Sequence, residues 1–389
     1  PGGCGTTPPV AGTIMRTLAY HQVTSFTSTS QPAAESGKRA SMLSADGSRA
    51  AFAVSGSGVP CHIYVINADG TGQRDVGTLP VDSGGQVDIS ADGSKVLYWN
   101  WTVAYMVNAD GTNRHQVIEL GAYPYFRLSA DGTKVFFAID RNVRPSQLYE
   151  AGLYVVNGDG SGVRRIVTPE QVHALFGRPI PALPFVWHGA AFDVSSDGNR
   201  IIFNVVDYDG NDRILRVNAD GSGLAEYPLP NNYFWSMNNI GISGDGTRVF
   251  YQGAPNPCCS SPQELGVFNW DGSGRRVLDT FGGWNGTEGE VAQLSYDGSK
   301  LNLGSFNRLY NTDGSGVLQL AAYGATLAGD PPLMVGMGDG GFPRSSMSRD
   351  ATRFLFTFNL GYEGGASTPT QLGLLELNPA NLGQAPSLT

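Results

Sequence analysis

Five histidines are the first candidates for chemistry: His21, His62, His115, His173 and His188. None sits in an H-x-H or H-E-x-x-H arrangement, so the sequence offers no zincin site. His173 and His188 share one long stretch between predicted strands. With Tyr125 and Arg144 they form a candidate catalytic set for β-elimination on a uronate. In that reaction a base removes the proton α to a carboxylate while an Arg neutralises the carboxylate. Asp207, Asp209 and Asp212 place oxygen ligands at short, near-alternate spacing, which suits calcium, the only cofactor the sequence suggests. The EF-hand pattern would need a Glu where Asn218 stands, so a plain turn is the competing reading. Glu288 and Glu290 are two residues apart and are read as a solvated rim rather than a glycosidase pair. No G-x-S-x-G occurs, which argues against an α/β-hydrolase. A wider set of aromatic and polar residues is a candidate ligand-binding rim: Arg39, Trp99, Trp101, Trp187, Tyr233, Trp235, Asn238, Asn239, Trp284, Glu290 and Arg344. Such mixtures suit sugar or peptide binding, although surface loops also pack with aromatics.

These residues need a frame, and the repeats supply it. A Ser-x-Asp-Gly motif begins at Ser44, Ser90, Ser129, Ser195, Ser243 and Ser295, with a seventh copy, Ser348-Arg349-Asp350-Ala351, lacking its Gly. An Asn-x-Asp-Gly motif begins at Asn67, Asn108, Asn157, Asn218, Asn269 and Asn311. The two alternate, and a degenerate last copy is placed at Asn378-Pro379-Ala380-Asn381. Asp-Gly supplies positive φ and an Asx hydrogen bond, a strong hairpin signal. Strand-forming runs flank the motifs, such as Lys95-Val96-Leu97-Tyr98 and Leu153-Tyr154-Val155-Val156. Successive Ser positions lie 46, 39, 66, 48, 52 and 53 residues apart. Four strands per unit and seven units predict an all-β, seven-bladed β-propeller of antiparallel blades. Residues 38–389 form this single domain. Residues 1–37 are read as a tail, a ring-closing strand at 13–20 and a Ser/Thr-rich linker. The strand is expected to be the outer strand of blade 7.

The alternation of Asn-Ala-Asp-Gly-Thr/Ser with Ser-Ala-Asp-Gly-Ser/Thr-Lys resembles the TolB-type propeller repeat, related to WD-type propellers, over roughly residues 38–378. The resemblance implies a protein-binding scaffold, since TolB contacts a peptidoglycan-associated lipoprotein. It also implies an alternative, because some TolB-like propellers are polysaccharide lyases. The metal-binding histidine cluster of oligogalacturonate lyases has no counterpart here.

Both turn sets fall on one face of such a propeller, leaving loops of variable length on the other. The variable face is therefore the functional candidate. One long loop, about 167–187, contains Thr168-Pro169-Glu170-Gln171, a capping box, and Gly177, a helix stop, which predict a short helix over blades 3 and 4. Another, about 322–342, is Gly- and Met-rich and reads as a lid or a surface excursion.

Composition agrees with this frame. Of 389 residues, 53 are Gly, about twice the usual share, and only 15% are charged. With 10% aromatics, disorder is disfavoured. The net charge of −9 argues against nucleic-acid binding. No run of about 18 apolar residues exists for a membrane span. Four cysteines suggest an oxidising compartment; of three possible pairings Cys4–Cys61 with Cys258–Cys259 is favoured, and four free thiols are the competing reading. Together these give a secreted or periplasmic, monomeric propeller holding a protein or polysaccharide ligand.

Overall fold

A computed structural model describes residues 18–24, 33–34, 41–55, 59–81, 85–121, 125–139, 148–177, 192–206, 212–228, 239–253, 263–281, 292–303, 308–320, 326–327, 333–334, 345–359, 362–363, 366–367 and 370–377. It is a seven-bladed β-propeller of antiparallel four-stranded sheets, with blade 1 extended by a two-residue strand. Strands A to D run outward from the axis. Blade 2 is typical: Gln86–Ile89, Lys95–Trp99, Val103–Asn108 and His115–Glu119.

Blade 7 takes its A, B and C strands from Ser345–Met347, Arg353–Asn359 and Thr370–Leu377. Its D strand is Leu18–Gln22, paired antiparallel with Gly373–Leu377. The N-terminal strand thus closes the ring as the outer strand of blade 7. It reaches Gln22, two residues beyond the expected 13–20; residues 13–17 lie outside those described. Ala33–Ala34, inside the expected linker, pairs with Val54 and Ser55 and lengthens the sheet of blade 1.

Each Ser-x-Asp-Gly turn is built alike. The Ser hydroxyl donates to the Asp carboxylate (Ser44 to Asp46, 2.6 Å) and accepts the N–H five residues on (Arg49, 3.0 Å). All seven copies repeat both bonds. Ala351 holds the Gly place in the seventh copy with φ 58°, a left-handed conformation that costs an L-residue about 1–2 kcal/mol. The last Asn position differs from expectation. Arg49 pairs with Asn67 in blade 1, and Arg353 pairs with Glu376 in blade 7, so Glu376 is the equivalent, not Asn378. Arg353 bonds it at 2.9 Å.

The blades are joined in layers. At the axis, the residues after each motif Ser form a closed backbone ring: Asp46 to Ala91, Ala91 to Ala130, Ala130 to Ser196, Ser196 to Gly244, Asp245 to Tyr296, Tyr296 to Arg349 and Arg349 to Ala45. Further out, long cations cross to the next blade's turn, as Arg49 to Gly93 O (3.2 Å), Arg200 to Gly246 O (2.7 Å) and Arg353 to Gly47 O (3.0 Å). The apolar core lies between blades rather than within them. Ile63 and Val65 of blade 1 meet Val87 and Tyr98 of blade 2, and Phe52 of blade 1 meets Leu355 and Leu372 of blade 7.

Candidate functional site

The two faces are built differently. Every A–B connection holds five residues between strands, in all seven blades. On the opposite face the connections run from three residues (Trp99 to Val103) to 25 (Gln319 to Ser345). The turn face spends its polar groups on itself. Outer-turn carboxylates such as Asp69 are held below the usual range by the Thr71 hydroxyl and its N–H. For Asp46, burial pushes upward but the Ser44 hydroxyl and the Ser48 N–H outweigh it. These carboxylates serve the turns.

The axis carries a cavity of about 190 Å³ lined by A strands and turn residues. Its polar level is the residue two before each motif Ser. There Asp88 accepts Leu128 N–H (3.1 Å), Asp193 accepts Ile242 N–H (3.1 Å), Gln293 accepts Met347 N–H (2.8 Å) and Ser346 accepts Leu43 N–H (3.0 Å). Arg127, 3% exposed, donates to Asp193 at 3.0 Å. Each side chain staples its own blade to the next. At the turn end, the Arg349 guanidinium lies 3.3 Å over the Tyr296 ring. A Cβ on Gly244 would lie 2.3 Å from Tyr296, so that ring packs directly on blade 5. The sequence reading did not single out this level, apart from naming several A-strand starts. Comparing the position two before each Ser (Met42, Asp88, Arg127, Asp193, Gly241, Gln293, Ser346) would have exposed it.

The loop face is organised over blades 1 to 3 and the connection that follows. Helix α1 spans Pro169–Phe176. Thr168 caps it, Gln171 completes the capping box, and Gly177 ends it in a left-handed conformation. Val172 is fully buried and packs into the core between blades 3 and 4, which fixes the helix there as expected. Tyr125 opens strand A of blade 3 and packs against the same core. Burial raises its phenol above the ordinary value, against the opposing pull of Arg127. His173 is exposed on α1, and among the described residues it shares no hydrogen bond with Tyr125.

Two rim tryptophans separate. Trp99 is 1% exposed and packs edge-on against Phe126 at 5.5 Å, between blades 2 and 3. Its place is the core, because it ends strand B facing blade 3 rather than standing in the loop. Trp101 is 44% exposed at the tip of that loop. The loop is stiff: Asn100 Oδ1 accepts the N–H groups of Thr102 (2.9 Å) and Val103 (3.0 Å), and Leu120 N–H donates to Thr102 O. Val59, Val81, Leu148 and Leu175 are also exposed on this face. Of the eight large exposed apolar residues described, five lie here, in the sector from blade 1 to α1.

For Asn239 and Asp212 the backbone alone is described. Asn239 opens strand A of blade 5 opposite Gln252, and Asp212 opens strand C of blade 4 opposite Val206. His188, Arg144, Arg39, Trp187, Tyr233, Trp235, Asn238, Trp284, Glu290, Arg344, Asp207 and Asp209 lie outside the described residues. Among the described residues no three His, Cys, Asp or Glu side chains converge as a metal site would need. No helix among them is long and apolar enough to cross a membrane. Cys61 is buried in the core between blades 1 and 2; Cys4, Cys258 and Cys259 lie outside the described residues.

No protein-family model matches the chain, and neither does any curated protein. Solved structures do. An oligogalacturonate lyase from Vibrio parahaemolyticus is 14% identical, with TM-score 0.58 over 94% of this chain and 98% of that one. Hydrazine synthase from Kuenenia stuttgartiensis is 15% identical, with TM-score 0.54 over 91% and 98%. TolB from Acinetobacter baumannii is 16% identical, with TM-score 0.46 over 70% of this chain; the chain spans 63% of that TolB. At these identities the likeness is one of fold.

Proposed function

We propose that the protein is a secreted or periplasmic binding propeller that holds a protein or glycan on its loop face. The observation that carries this is the sector of exposed apolar side chains around Trp101, standing on a scaffold whose opposite face is closed by its own hydrogen bonds. A rigid indole offers large contact area at little ordering cost, and Trp is enriched where binding energy concentrates. The remaining candidate residues, Arg39, Trp187, Tyr233, Trp235, Asn238, Asn239, Trp284, Glu290 and Arg344, are assigned to the same face by sequence position alone.

The test is binding by the full chain and by Trp101→Ala to a glycan array and to protein extracts of a bacterial envelope. Saturable binding that Trp101→Ala weakens about tenfold or more supports the reading, as loss of one interfacial anchor does. Binding unchanged by the substitution overturns it. A polysaccharide lyase acting through His173, His188, Tyr125 and Arg144 is the second reading, favoured by the near-complete overlap with an oligogalacturonate lyase. Burial raises the Tyr125 phenol, so in this reading the base is a histidine rather than Tyr125. Absorbance near 235 nm with uronate polysaccharides decides: a rise abolished by His188→Ala establishes elimination. Chelation during the same assays reads out calcium at Asp207, Asp209 and Asp212.

A further inference from the structure

At the strand D entry three blades share one device, an Arg link to the next blade, while blades 4 and 6 carry Ala225 and Leu318 at the same place. Seven residues beyond the motif Asn stand Arg74 in blade 1, Arg164 in blade 3 and Arg276 in blade 5. Each donates to a backbone carbonyl on the next blade's C–D turn: Arg74 to Asp110 O (2.9 Å), Arg164 to Ala219 O, and Arg276 to Asp313 O. A guanidinium is charged at every physiological pH, so these three links are permanent. In blade 2 the same position is His115.

Its ring spans the same gap. Nε2 lies 2.9 Å from Gly158 O on the blade 3 turn, and Nδ1 lies 2.8 Å from Asn113 O. Both partners are carbonyl oxygens, which only accept. A neutral imidazole has one N–H and one lone pair, so it satisfies one oxygen and turns its lone pair on the other. The imidazolium donates to both. The approach is close on either side of the contact. A Cβ on Gly158 would lie 2.7 Å from Gly132 O, and one on Gly160 would lie 2.8 Å from Val117 O, leaving the turn little room to shift.

We propose that His115 is a pH-dependent clamp between blades 2 and 3, closed when its ring carries both protons and slackened when one is lost. The charged group facing it from blade 3 is Asp159, on the turn that carries Gly158. Its carboxylate is held low first by the Ser161 hydroxyl and N–H, with His115 a lesser contributor. Lys134, opposite Asn157 on strand B of blade 3, is the cation on that side. On its own strand the neighbouring Arg114 is turned toward blade 1, donating to the Tyr98 hydroxyl and to Thr78 O. Asp110 lies on the same blade's own turn, where its backbone carbonyl takes Arg74. With both protons the ring donates to Gly158 O and Asn113 O together, and with one proton it holds only one of them, so the link slackens rather than breaks.

The test uses the full chain as wild type, His115→Arg and His115→Gln, and does not depend on the ligand reading above. Amide exchange of the segment 157–163 is measured at pH 5.5 and pH 8, corrected for the intrinsic rate. His115→Arg keeps its protection at both pH values. Wild type matches it at pH 5.5 and loses roughly tenfold by pH 8, the expected effect of losing a hydrogen bond to a charged group. His115→Gln, which cannot donate to both oxygens from one ring-like position, is poorly protected at both. Nitrogen-15 shifts of the His115 ring, assigned by their absence in His115→Gln, read the protons directly. A neutral ring at pH 5.5, or wild-type protection that follows His115→Arg at both pH values, overturns the clamp.

Discussion

Thr24→Val tests whether the N-terminal strand holds the ring shut. Thr24 is 2% exposed, and its hydroxyl accepts the N–H of Leu372 at 2.8 Å across the blade 7 seam. Valine keeps the shape and deletes the oxygen, leaving the buried Leu372 N–H without this acceptor. An orphaned buried donor costs about 1–3 kcal/mol. Ser346→Ala does the same to Leu43 N–H, bonded at 3.0 Å on the other side of blade 7's inner strand. An unfolding entropy of about 2.1 cal/mol/K per residue gives roughly 0.8 kcal/mol/K for 389 residues. Each variant should then melt about 1–4 °C below wild type, and the double variant about 2–7 °C below if the two are independent. Calorimetry and urea unfolding followed by Trp fluorescence measure this. Thr78→Val, on the exposed outer strand of blade 1, is the control and should stay within about 0.5 kcal/mol. If Thr24→Val matches the control, the terminal strand is not what secures the closure.

Removing residues 1–26 deletes the D strand of blade 7 and the Val23 contact with the blade 7–blade 1 core, so the melt should drop well beyond either point variant. An unchanged melt sinks the closure account. Ala351→Gly relieves a left-handed Ala, about 1–2 kcal/mol, offset by about 0.4–1 kcal/mol of unfolded-chain freedom; urea midpoints should show a net gain. Gly93→Ala is the reverse case. With φ 67° and a Cβ that would lie 3.1 Å from Arg49, it should cost about 1 kcal/mol or more. The turn carboxylates titrate below the ordinary aspartate value: the Ser90 hydroxyl and Ser94 N–H hold Asp92 down, and for Asp131 burial pushes upward but the Ser129 hydroxyl and Thr133 N–H outweigh it. Their stabilisation is therefore present above that value and lost as pH falls through the folded values. Melting temperature should fall steeply below about pH 4, and less steeply relative to its own plateau in Asp92→Asn.

Much of the fold was legible because one repeat carries its mechanism in four residues. Ser-x-Asp-Gly closes its own hydrogen bonds, so its seven copies mark seven hairpins wherever they fall in space. The capping box at Thr168 to Gln171 is local in the same way, and α1 forms where it is written. Less was legible where a side chain's role depends on the neighbouring blade. Trp99 and Trp101 are two residues apart, but the first ends strand B against blade 3 and the second stands in the connection beyond it, so one is buried and the other exposed. The last repeat was misplaced by two residues because Glu376 shares no chemistry with Asn; only its register opposite Arg353 identifies it.

By itself, then, the sequence determined the blade count, the turns and the short helix, all products of bonds within a few residues. The tertiary structure alone decided how the ring is joined. The axial backbone ring, the staples from Asp88, Asp193, Gln293 and Ser346, and the clamp at His115 link residues about 40 to 300 positions apart. Their partners are mostly backbone groups, which carry no residue type to read, so only the folded chain could show which atoms meet.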